Sequence, residues 1–356
     1  MKWLARRGET SLPASGAARW RPGDTADLGD VLPRLIIQIP CLDEGRTLPV
    51  TLADLPQEIP GVGSVETLII DDGSSDRTLE VARARGVDHV VHFTAHRGLA
   101  KAFMAGLDAC LQRGADIIVN TDGDNQYCGA DIAKLVAPLI AGEADMVVGC
   151  RPIEDIVHFS WLKKRLQRWG SRTVRRLSGI DIPDATSGFR ALTREAALRL
   201  NVISDFTYTI ETLIQAGKKD IATRWVPVRV NAKLRESRLF TSMWQYLRRA
   251  VPGMLRIYAT YEPLKVFVSI GAAVLAAGML PILRFLYFFA VGQGGGHVQS
   301  LVLGSALFLL GFQITVLGLL ADLTAANRRL TEDVLYRQRR RDAERFQSPP
   351  FSKEGS

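Results

Sequence analysis

The sequence predicts an α/β domain on a mostly parallel sheet, followed by interfacial helices and two transmembrane helices. Two observations lead to this prediction. Short runs rich in β-branched residues alternate with helical patterns over the first two thirds of the chain, which is typical of βαβ units. Two uncharged apolar runs follow, and each approaches the ~20 residues with which a helix crosses the hydrocarbon of a bilayer.

The predicted β-strands lie at residues 35–40, 66–71, 89–93, 116–122, 145–150 and 222–230. The sequence does not indicate where the last of them joins the sheet. A helix is predicted between the third and fourth strands, because an apolar residue recurs at every fourth position and indicates one buried face. These apolar residues are Leu99, Phe103, Leu107 and Leu111.

The apolar runs at 266–283 and 298–321 lack the polar face of a helix in a soluble domain, although two buried core helices are the alternative. The net charge of the chain is +8, and basic residues cluster before the first run and after the second. Because positively charged flanks stay cytoplasmic, we expect the α/β domain and both termini on the cytoplasmic side of the cell membrane. Nucleic-acid binding is disfavoured, because the charge lies beside the apolar runs.

These features divide the chain into five predicted parts. They are a mobile N-terminal tail at 1–30, the α/β domain at 31–240, interfacial amphipathic helices at 241–263, a transmembrane hairpin at 264–323 and a basic cytoplasmic tail at 324–356. The sequence leaves open whether the chain forms a homo-oligomer.

Polar residues close four of the predicted strands. Ligands of an open parallel sheet collect beyond the carboxyl ends of its strands, so we expect these residues to line one crevice. A single acidic turn of this kind would more simply cap a helix. The residues are Pro40, Cys41, Leu42, Asp43 and Glu44, then Asp71, Asp72, Gly73 and Ser74, then Asp122, Gly123 and Asp124, then Gly149, Cys150 and Arg151.

The end of the fourth strand is a candidate metal site. Asp122 and Asp124 are separated by one glycine, and Gln126 adds an amide oxygen two positions further on. Mg²⁺ and Mn²⁺ prefer oxygen ligands and often bridge to phosphate, so one of these cations is the predicted cofactor. The alternative is an ordinary Asp-Gly turn.

Basic residues supply candidate phosphate contacts. Arg151, Arg235 and Arg238 have no obvious acidic partner nearby, and guanidinium groups match phosphate oxygens. Anionic lipid headgroups are the alternative partners of Arg235 and Arg238. A second basic cluster at helical spacing predicts an amphipathic helix that lies on lipid, holds a lipid phosphate or does both. It contains Lys163, Lys164, Arg165, Arg168, Arg172, Arg175 and Arg176.

Four motifs in order resemble those of family-2 glycosyltransferases of the Rossmann-like GT-A fold. The resemblance is to polyprenyl-phosphate glycosyltransferases similar to dolichol-phosphate mannose synthase, and it extends over residues 35–240. The motifs are Pro40, Cys41, Leu42, Asp43 and Glu44; Asp71, Asp72, Gly73, Ser74, Ser75 and Asp76; Asp122, Gly123, Asp124, Asn125 and Gln126; and Thr186, Ser187, Gly188, Phe189, Arg190 and Ala191.

The resemblance implies a role for each candidate residue. Donor binding would fall to Pro40, Glu44, Asp71, Asp72, Gly73, Lys101 and Asp122, and metal binding on the donor diphosphate to Asp122, Asp124 and Gln126. Arg235 and Arg238 would close over the pyrophosphate. The acceptor phosphate would be held by Arg151 with Lys164, Arg165 or Arg168.

The implied reaction is the inverting transfer of one hexose from a GDP- or UDP-linked sugar to polyprenyl phosphate, with mannose favoured over glucose. A phosphate monoester is already ionised near neutral pH, so no general base is required. A processive synthase or another lipid-acceptor enzyme of the family is one alternative, although two spans make a poor pore. A non-catalytic membrane scaffold is the other, and it is disfavoured because Asp122 and Asp124 are both present.

Overall fold

A computed structural model describes residues 20, 22, 32–152, 174–175, 178–202, 208–232, 256 and 259–345. Its strands are β1 (Arg34–Cys41), β2 (Ser64–Asp71), β3 (His89–His92), β4 (Ile117–Asn120), β5 (Met146–Cys150), β6 (Arg190–Thr193) and β7 (Thr223–Pro227). In this described part they form one sheet of seven strands in the order β3-β2-β1-β4-β6-β5-β7. Only β6 runs antiparallel to its neighbours, β4 and β5, so the mostly parallel sheet is confirmed.

Helices cover both faces of the sheet. They are α1 (Leu48–Asp54), α2 (Thr78–Ala84), α3 (Leu99–Gln112), α4 (Ile132–Ile140), α5 (Arg194–Arg199) and α6 (Tyr208–Lys218). Successive side chains of a strand point to opposite faces, so β1 contributes to two cores. Ile36 packs in a cluster with residues of α3, α5 and α6, whereas Leu35 and Ile37 pack with residues of α1 and α4.

Two details differ from the sequence prediction. Leu99 is 40% exposed, because it is the first residue of α3 and lies before the helix meets the sheet; Phe103 and Leu107 are fully buried, as expected. The strand β6 was not predicted. It has four residues and begins with Arg190, a buried arginine, so no apolar run marks it in the sequence.

Two long helices form a hairpin after the α/β domain. They are α7 (Pro263–Ala290) and α8 (Val298–Arg345), joined through a short 3-10 helix at Gly294–Gly296. Both are long and apolar enough to cross a membrane, and only 11% and 17% of their most apolar windows are buried. This low burial argues against the alternative that they are core helices of a soluble domain.

Glycines allow α7 and α8 to approach closely. A Cβ atom added at Gly278 would lie 2.7 Å from the Phe308 backbone nitrogen, and one added at Gly311 would lie 2.7 Å from the Leu275 backbone nitrogen. Small residues at a helix contact are typical of packing in lipid, where burial of large apolar side chains brings no gain over the lipid tails. Large side chains such as Leu280, which is 70% exposed, point outward instead.

The helix α8 continues well past the apolar run and packs against the α/β domain. Near its end Ala343 is buried, and Arg339 forms an ion pair of 3.2 Å with Asp108 of α3. The Tyr336 hydroxyl contacts Glu195 of α5 at 3.0 Å. The predicted boundary between residues 323 and 324 therefore falls inside one continuous helix, which joins the hairpin to the domain. The predicted tail at 1–30 and the predicted interfacial helices at 241–263 lie mostly outside the described residues, which include only 20, 22, 256 and 259–263 of these segments.

Candidate active site

The ends of β1, β2 and β4 lie side by side at one edge of the sheet, because these strands are adjacent and parallel. Their loops are in contact. The backbone N–H of Asp43, after β1, donates to Ser74 Oγ, after β2, at 2.9 Å. A Cβ atom added at Gly123, after β4, would lie 3.0 Å from Cys41 Sγ and 3.3 Å from Glu44 Cγ. The ends of these three strands therefore lie together at one edge of the sheet.

The segment after β4 presents its polar residues on one side. Asp122, Asp124 and Gln126 are partly exposed, whereas the intervening residues Gly123 and Asn125 are buried. Two features fix this segment as a turn: Asn125 has a left-handed backbone with a φ of 55°, and the backbone N–H of Gln126 donates to Asp124 Oδ1 at 3.1 Å. Three side chains with oxygen atoms thus share the open side of one tight segment.

This donor set fits a hard divalent cation, since carboxylate and amide oxygens are its preferred ligands. The described ranges contain no group of three or more His, Cys, Asp or Glu residues that could enclose a metal ion. A cation at Asp122 and Asp124 would take its further ligands from other oxygens, such as the Gln126 amide, substrate phosphates or water. Mg²⁺ is commonly bound in this way, by one or two carboxylates together with substrate phosphates and water.

The acidic pair after β2 is arranged differently, because Asp71 and Asp72 are both buried. Asp71 Oδ1 accepts a hydrogen bond from the Ser74 backbone N–H at 3.1 Å, and Asp71 Oδ2 lies 2.8 Å from His92 Nδ1. Asp72 accepts hydrogen bonds from the backbone N–H groups of Arg97 and Gly98 at 2.7 and 2.9 Å. Asp72 therefore holds the loop just before α3, whereas Asp71 holds Ser74 and His92.

The other predicted donor residues surround the same loops. Gly73 has a φ of 74° and no room for a side chain, since a Cβ atom would lie 2.6 Å from the Ala95 carbonyl carbon. Pro40 is buried at the end of β1, and the buried Glu44 accepts a hydrogen bond from Thr47 Oγ1 at 2.5 Å. Lys101 is exposed in the first turn of α3.

At the end of β5, Arg151 has an acidic partner that the sequence analysis did not find. Its Nε and Nη2 atoms donate to the two oxygens of Asp184 at 2.7 and 3.2 Å, and Nη2 also donates to Thr186 Oγ1 at 3.0 Å. The Asp184 side chain is fully buried. Burial would raise the pKa of Asp184, but the Arg151 guanidinium and the hydrogen bonds from Thr186 lower it below its ordinary value. The ion pair therefore stays charged at neutral pH.

The loop before β6 also lies against the acidic segment, by which we mean the run Asp122–Gln126 after β4. A Cβ atom added at Gly188 would lie 3.2 Å from Asp122 Oδ1 and 2.7 Å from the hydroxyl oxygen of Tyr208. The Gly188 backbone N–H donates to the Tyr127 hydroxyl at 3.3 Å. Burial raises the pKa of Tyr127 to about 12, so this hydroxyl stays protonated. Tyr127 and Tyr208 carried no recognisable signal in the sequence.

Five predicted site residues lie outside the described residues: Lys164, Arg165, Arg168, Arg235 and Arg238. The chain that leads to Arg235 is nevertheless fixed beside the acidic segment. The Asn231 backbone N–H donates to the Gln126 carbonyl oxygen at 2.9 Å, and Val230 forms a β-bridge with Tyr127. Just before this bridge, Arg229 forms an ion pair with the buried Asp131 at 2.9 Å.

Comparison with known proteins agrees with this architecture. Residues 36–200 match the model of Glycosyl transferase family 2. Glycosyltransferase AglJ of Haloferax volcanii is 31% identical over 281 residues, which cover 77% of this chain and 89% of that protein. In an open α/β sheet, ligands bind beyond the carboxyl ends of the strands, where these acidic residues lie. The chain belongs to glycosyl transferase family 2 and is a glycosyltransferase with the GT-A fold.

Two further similarities are narrower. Polyprenol monophosphomannose synthase of Mycolicibacterium smegmatis is 30% identical over 176 residues, which cover 48% of this chain and 65% of that protein. Glucosyl-3-phosphoglycerate synthase of Mycobacterium tuberculosis, solved with Mn²⁺, UDP-glucose and phosphoglyceric acid, gives a TM-score of 0.49 at 21% identity. That similarity covers 64% of this chain and 80% of the solved chain.

Proposed function

We propose that this glycosyltransferase moves a single hexose from a nucleoside diphosphate sugar to polyprenyl phosphate, with inversion at the anomeric carbon. The observation that carries the proposal is the partly exposed segment of Asp122, Asp124 and Gln126 in a chain that ends in an apolar helical hairpin. Mannose is the favoured sugar, because the relative from Mycolicibacterium smegmatis is named polyprenol monophosphomannose synthase. Glucose is the next candidate.

On the donor side, Asp122, Asp124 and Gln126 would hold Mg²⁺ or Mn²⁺ against the diphosphate. When bound, such a cation neutralises the charge that develops on the departing nucleoside diphosphate. Pro40, Glu44, Gly73 and Lys101 remain candidates for direct contact with the donor. We assign Asp71 and Asp72 a supporting role at the nucleoside, because both carboxylates already accept hydrogen bonds from the protein.

Arg235 and Arg238 would stabilise the leaving diphosphate from the other side. Arg235 follows Asn231 by four residues, and Asn231 is hydrogen-bonded to Gln126. Four residues of extended chain span at most ~14 Å, so the sequence tethers Arg235 within that distance of Asn231. Guanidinium groups suit this task because their planar N–H fork matches phosphate oxygens.

On the acceptor side, Arg151 would orient the lipid phosphate together with Lys164, Arg165 or Arg168. A phosphate oxygen then attacks the anomeric carbon, and the bond from that carbon to the diphosphate oxygen breaks. The phosphate is already ionised, so the attack releases no proton and needs no general base. Holding the two substrates in line supplies a large part of the rate enhancement.

The membrane hairpin would keep the acceptor headgroup close to this crevice. Basic residues lie at the N-terminal end of α7 and in the part of α8 that follows its apolar run. Lys265 precedes the first apolar run, and Arg328 follows the second. By the positive-inside rule, the α/β domain and both termini would face the cytoplasm. The nucleotide sugar would then be drawn from the cytoplasm and the lipid from the inner leaflet.

The proposal is tested with membranes from cells that express this protein. Labelled GDP- and UDP-hexoses are supplied one at a time with polyprenyl phosphate and Mg²⁺ or Mn²⁺. We expect one donor, GDP-mannose first, to give an acid-labile glycolipid that is absent from membranes with the Asp124→Asn variant. Formation of no glycolipid from any donor, or equal formation by the variant, would overturn the proposal.

A further inference from the structure

A chain of buried hydrogen bonds lies directly beneath the acidic segment. Asn120, the last residue of β4, is fully buried. Its Nδ2 group donates to the Gly188 carbonyl oxygen at 2.8 Å and to the Tyr208 hydroxyl oxygen at 3.1 Å. Its Oδ1 atom accepts a hydrogen bond from Gln38 Nε2 at 2.9 Å. Gln38 of β1, Asn120 of β4 and Tyr208 of α6 therefore form one connected set.

The direction of these bonds determines what the Tyr208 hydroxyl can do. A primary amide nitrogen only donates, so the hydroxyl oxygen must accept the bond from Asn120. The hydroxyl proton then remains available for an acceptor on another side. A buried hydroxyl that donates to nothing would be costly, because a hydrogen bond left unmade in the interior carries its desolvation penalty.

The Asp122 carboxylate lies close to this hydroxyl, beside Gly188. A Cβ atom added at Gly188 would lie 2.7 Å from the Tyr208 hydroxyl oxygen and 3.2 and 3.4 Å from the two Asp122 oxygens. The hydroxyl and the carboxylate thus line the same small space above Gly188. The electrostatics agree: burial is the main cause that raises the pKa of Tyr208, and the Asp122 charge is the next.

The Tyr208 ring is held rigidly. It stacks on Phe103 with ring centroids 4.2 Å apart and an angle of 20° between the planes, and its side chain is almost fully buried. Phenylalanine could keep this stacking and lose only the hydroxyl. The hydroxyl therefore has a fixed position from which to orient a neighbouring group.

We propose that Tyr208 is a positioning residue whose hydroxyl donates to the Asp122 carboxylate and fixes its orientation toward the divalent cation of the donor site. The proposal rests on the proposed function, because it assumes that Asp122 binds this cation. Groups that orient a metal ligand commonly change metal affinity by about 10- to 100-fold when they are removed. Asn120 and Gln38 would in turn orient Tyr208.

The test is the metal dependence of nucleotide binding by the purified full-length protein in detergent. The affinities for GDP and for UDP are measured by calorimetry without metal and at increasing Mn²⁺, for the wild type and for Tyr208→Phe. We expect the variant to require at least ~10-fold more Mn²⁺ for the same gain in nucleotide affinity. Its affinity for nucleotide without metal should match that of the wild type.

A matched control is Tyr261→Phe. This change also removes one tyrosine hydroxyl. In the wild type, the Tyr261 hydroxyl lies just before α7, where it is bonded to Arg328 of α8 at 2.6 Å. We expect its Mn²⁺ requirement to stay within ~2-fold of the wild type. A double variant adds specificity: in an Asp122→Asn background, Tyr208→Phe should cause no further loss, because coupled residues are not additive.

A second variant covers the case in which Tyr208→Phe does not fold. Gly188→Ala would insert a methyl group between the hydroxyl and the carboxylate, and it should raise the Mn²⁺ requirement in the same selective way. An unchanged Mn²⁺ requirement in either variant, or an equal loss of nucleotide affinity with and without metal, would overturn the positioning role alone. Absence of any metal-dependent nucleotide binding by the wild type would overturn the proposed function as well.

Discussion

The ends of β2 and β4 each carry an acidic pair, yet the structure uses the two pairs differently. Asp71 and Asp72 are buried and accept hydrogen bonds from backbone N–H groups of the neighbouring loops. Asp122 and Asp124 are partly exposed on the open side of a tight turn. Asp184 resembles the first pair, since it is fully buried against Arg151.

The difference lies in what surrounds each carboxylate. At the β2 end, backbone N–H groups and the His92 ring contact the acidic pair, so the negative charge is satisfied inside the protein. At the β4 end, Gly123 between the two carboxylates is buried, whereas Asp122 and Asp124 are partly exposed. The two acidic strand ends therefore differ in exposure, and substitutions should separate their roles.

The largest effect is expected for Asp124→Asn. Loss of one ligand charge should lower sugar transfer by about 10³-fold, a magnitude typical of losing a key electrostatic contact in catalysis. Thermal unfolding should be nearly unchanged, because Asp124 is partly exposed and its amide would still accept the Gln126 N–H. Glycolipid formation in membranes and thermal unfolding in detergent are the two measurements.

Asp116→Asn is the matched control. Asp116 precedes β4 at the opposite end of the same strand, where Oδ2 accepts the Arg34 backbone N–H at 3.0 Å. We expect transfer within ~2-fold of the wild type. A loss comparable to that of Asp124→Asn would mean that charge on this strand matters in general and that the β4 end has no special role.

The next effect is on stability. Arg151→Ala would leave Asp184 buried without its cation, and breaking a buried ion pair from one side costs about 3 kcal/mol or more. The free energy of unfolding, measured with urea in detergent, should fall by about this amount. Adding Asp184→Asn should restore part of the loss, because it removes the unpaired charge. No recovery in the double variant would place the cost elsewhere in the loop.

The Asp72→Asn substitution should have a smaller effect, on stability and on the binding of the sugar donor. Its amide nitrogen would face one of the two backbone N–H groups of Arg97 and Gly98, so one hydrogen bond is lost. A loss of about 1–2 kcal/mol in stability is expected, with a several-fold rise in the KM for the donor and little change in kcat. The control is His96→Gln, because the His96 side chain is 58% exposed and its pairing with Asp72 contributes little.

The smallest expected effect is on the pH dependence of the free energy of unfolding. The pKa of Asp184 is lowered in the folded protein, so its contribution is complete above the unfolded-state value of about 3.9. The contribution declines as the pH falls below that value toward the pKa of the folded state. The stability gap between the wild type and Asp184→Asn should thus be constant from pH 7 to about 5 and shrink below about 4. A gap that grows in acid would contradict this assignment.

Much of the fold followed from the sequence, because hydrophobic periodicity marks buried strands and helices wherever they bury an apolar face. All described strands except β6, and the two apolar helices, were predicted in this way. The strand β6 was not predicted, because it is short and starts with the buried Arg190. The continuation of α8 beyond its apolar run was not predicted either. Its charged sequence does not indicate that it packs on α3 and α5 through residues such as Tyr336.

The sequence predicted which strand ends share one edge of the sheet, but not how the side chains there are arranged. The sequence shows which residues follow a strand, so the shared edge of Asp71 and Asp122 could be expected. It does not show which way a carboxylate turns, since that depends on loops that arrive from elsewhere. Tyr208 illustrates the limit: it meets Asn120 from 88 residues away, on a helix whose pattern indicates only a buried face.

The central claim is that the β4 pair, and not the β2 pair, carries the divalent cation of the donor site. Its most direct test is binding of Mn²⁺ in the presence of GDP or UDP, followed by electron paramagnetic resonance for the wild type, Asp124→Asn and Asp72→Asn. We expect the wild type and Asp72→Asn to bind Mn²⁺ with similar affinity, and Asp124→Asn to lose this binding. Retention of Mn²⁺ by Asp124→Asn, or its loss in Asp72→Asn alone, would contradict the account.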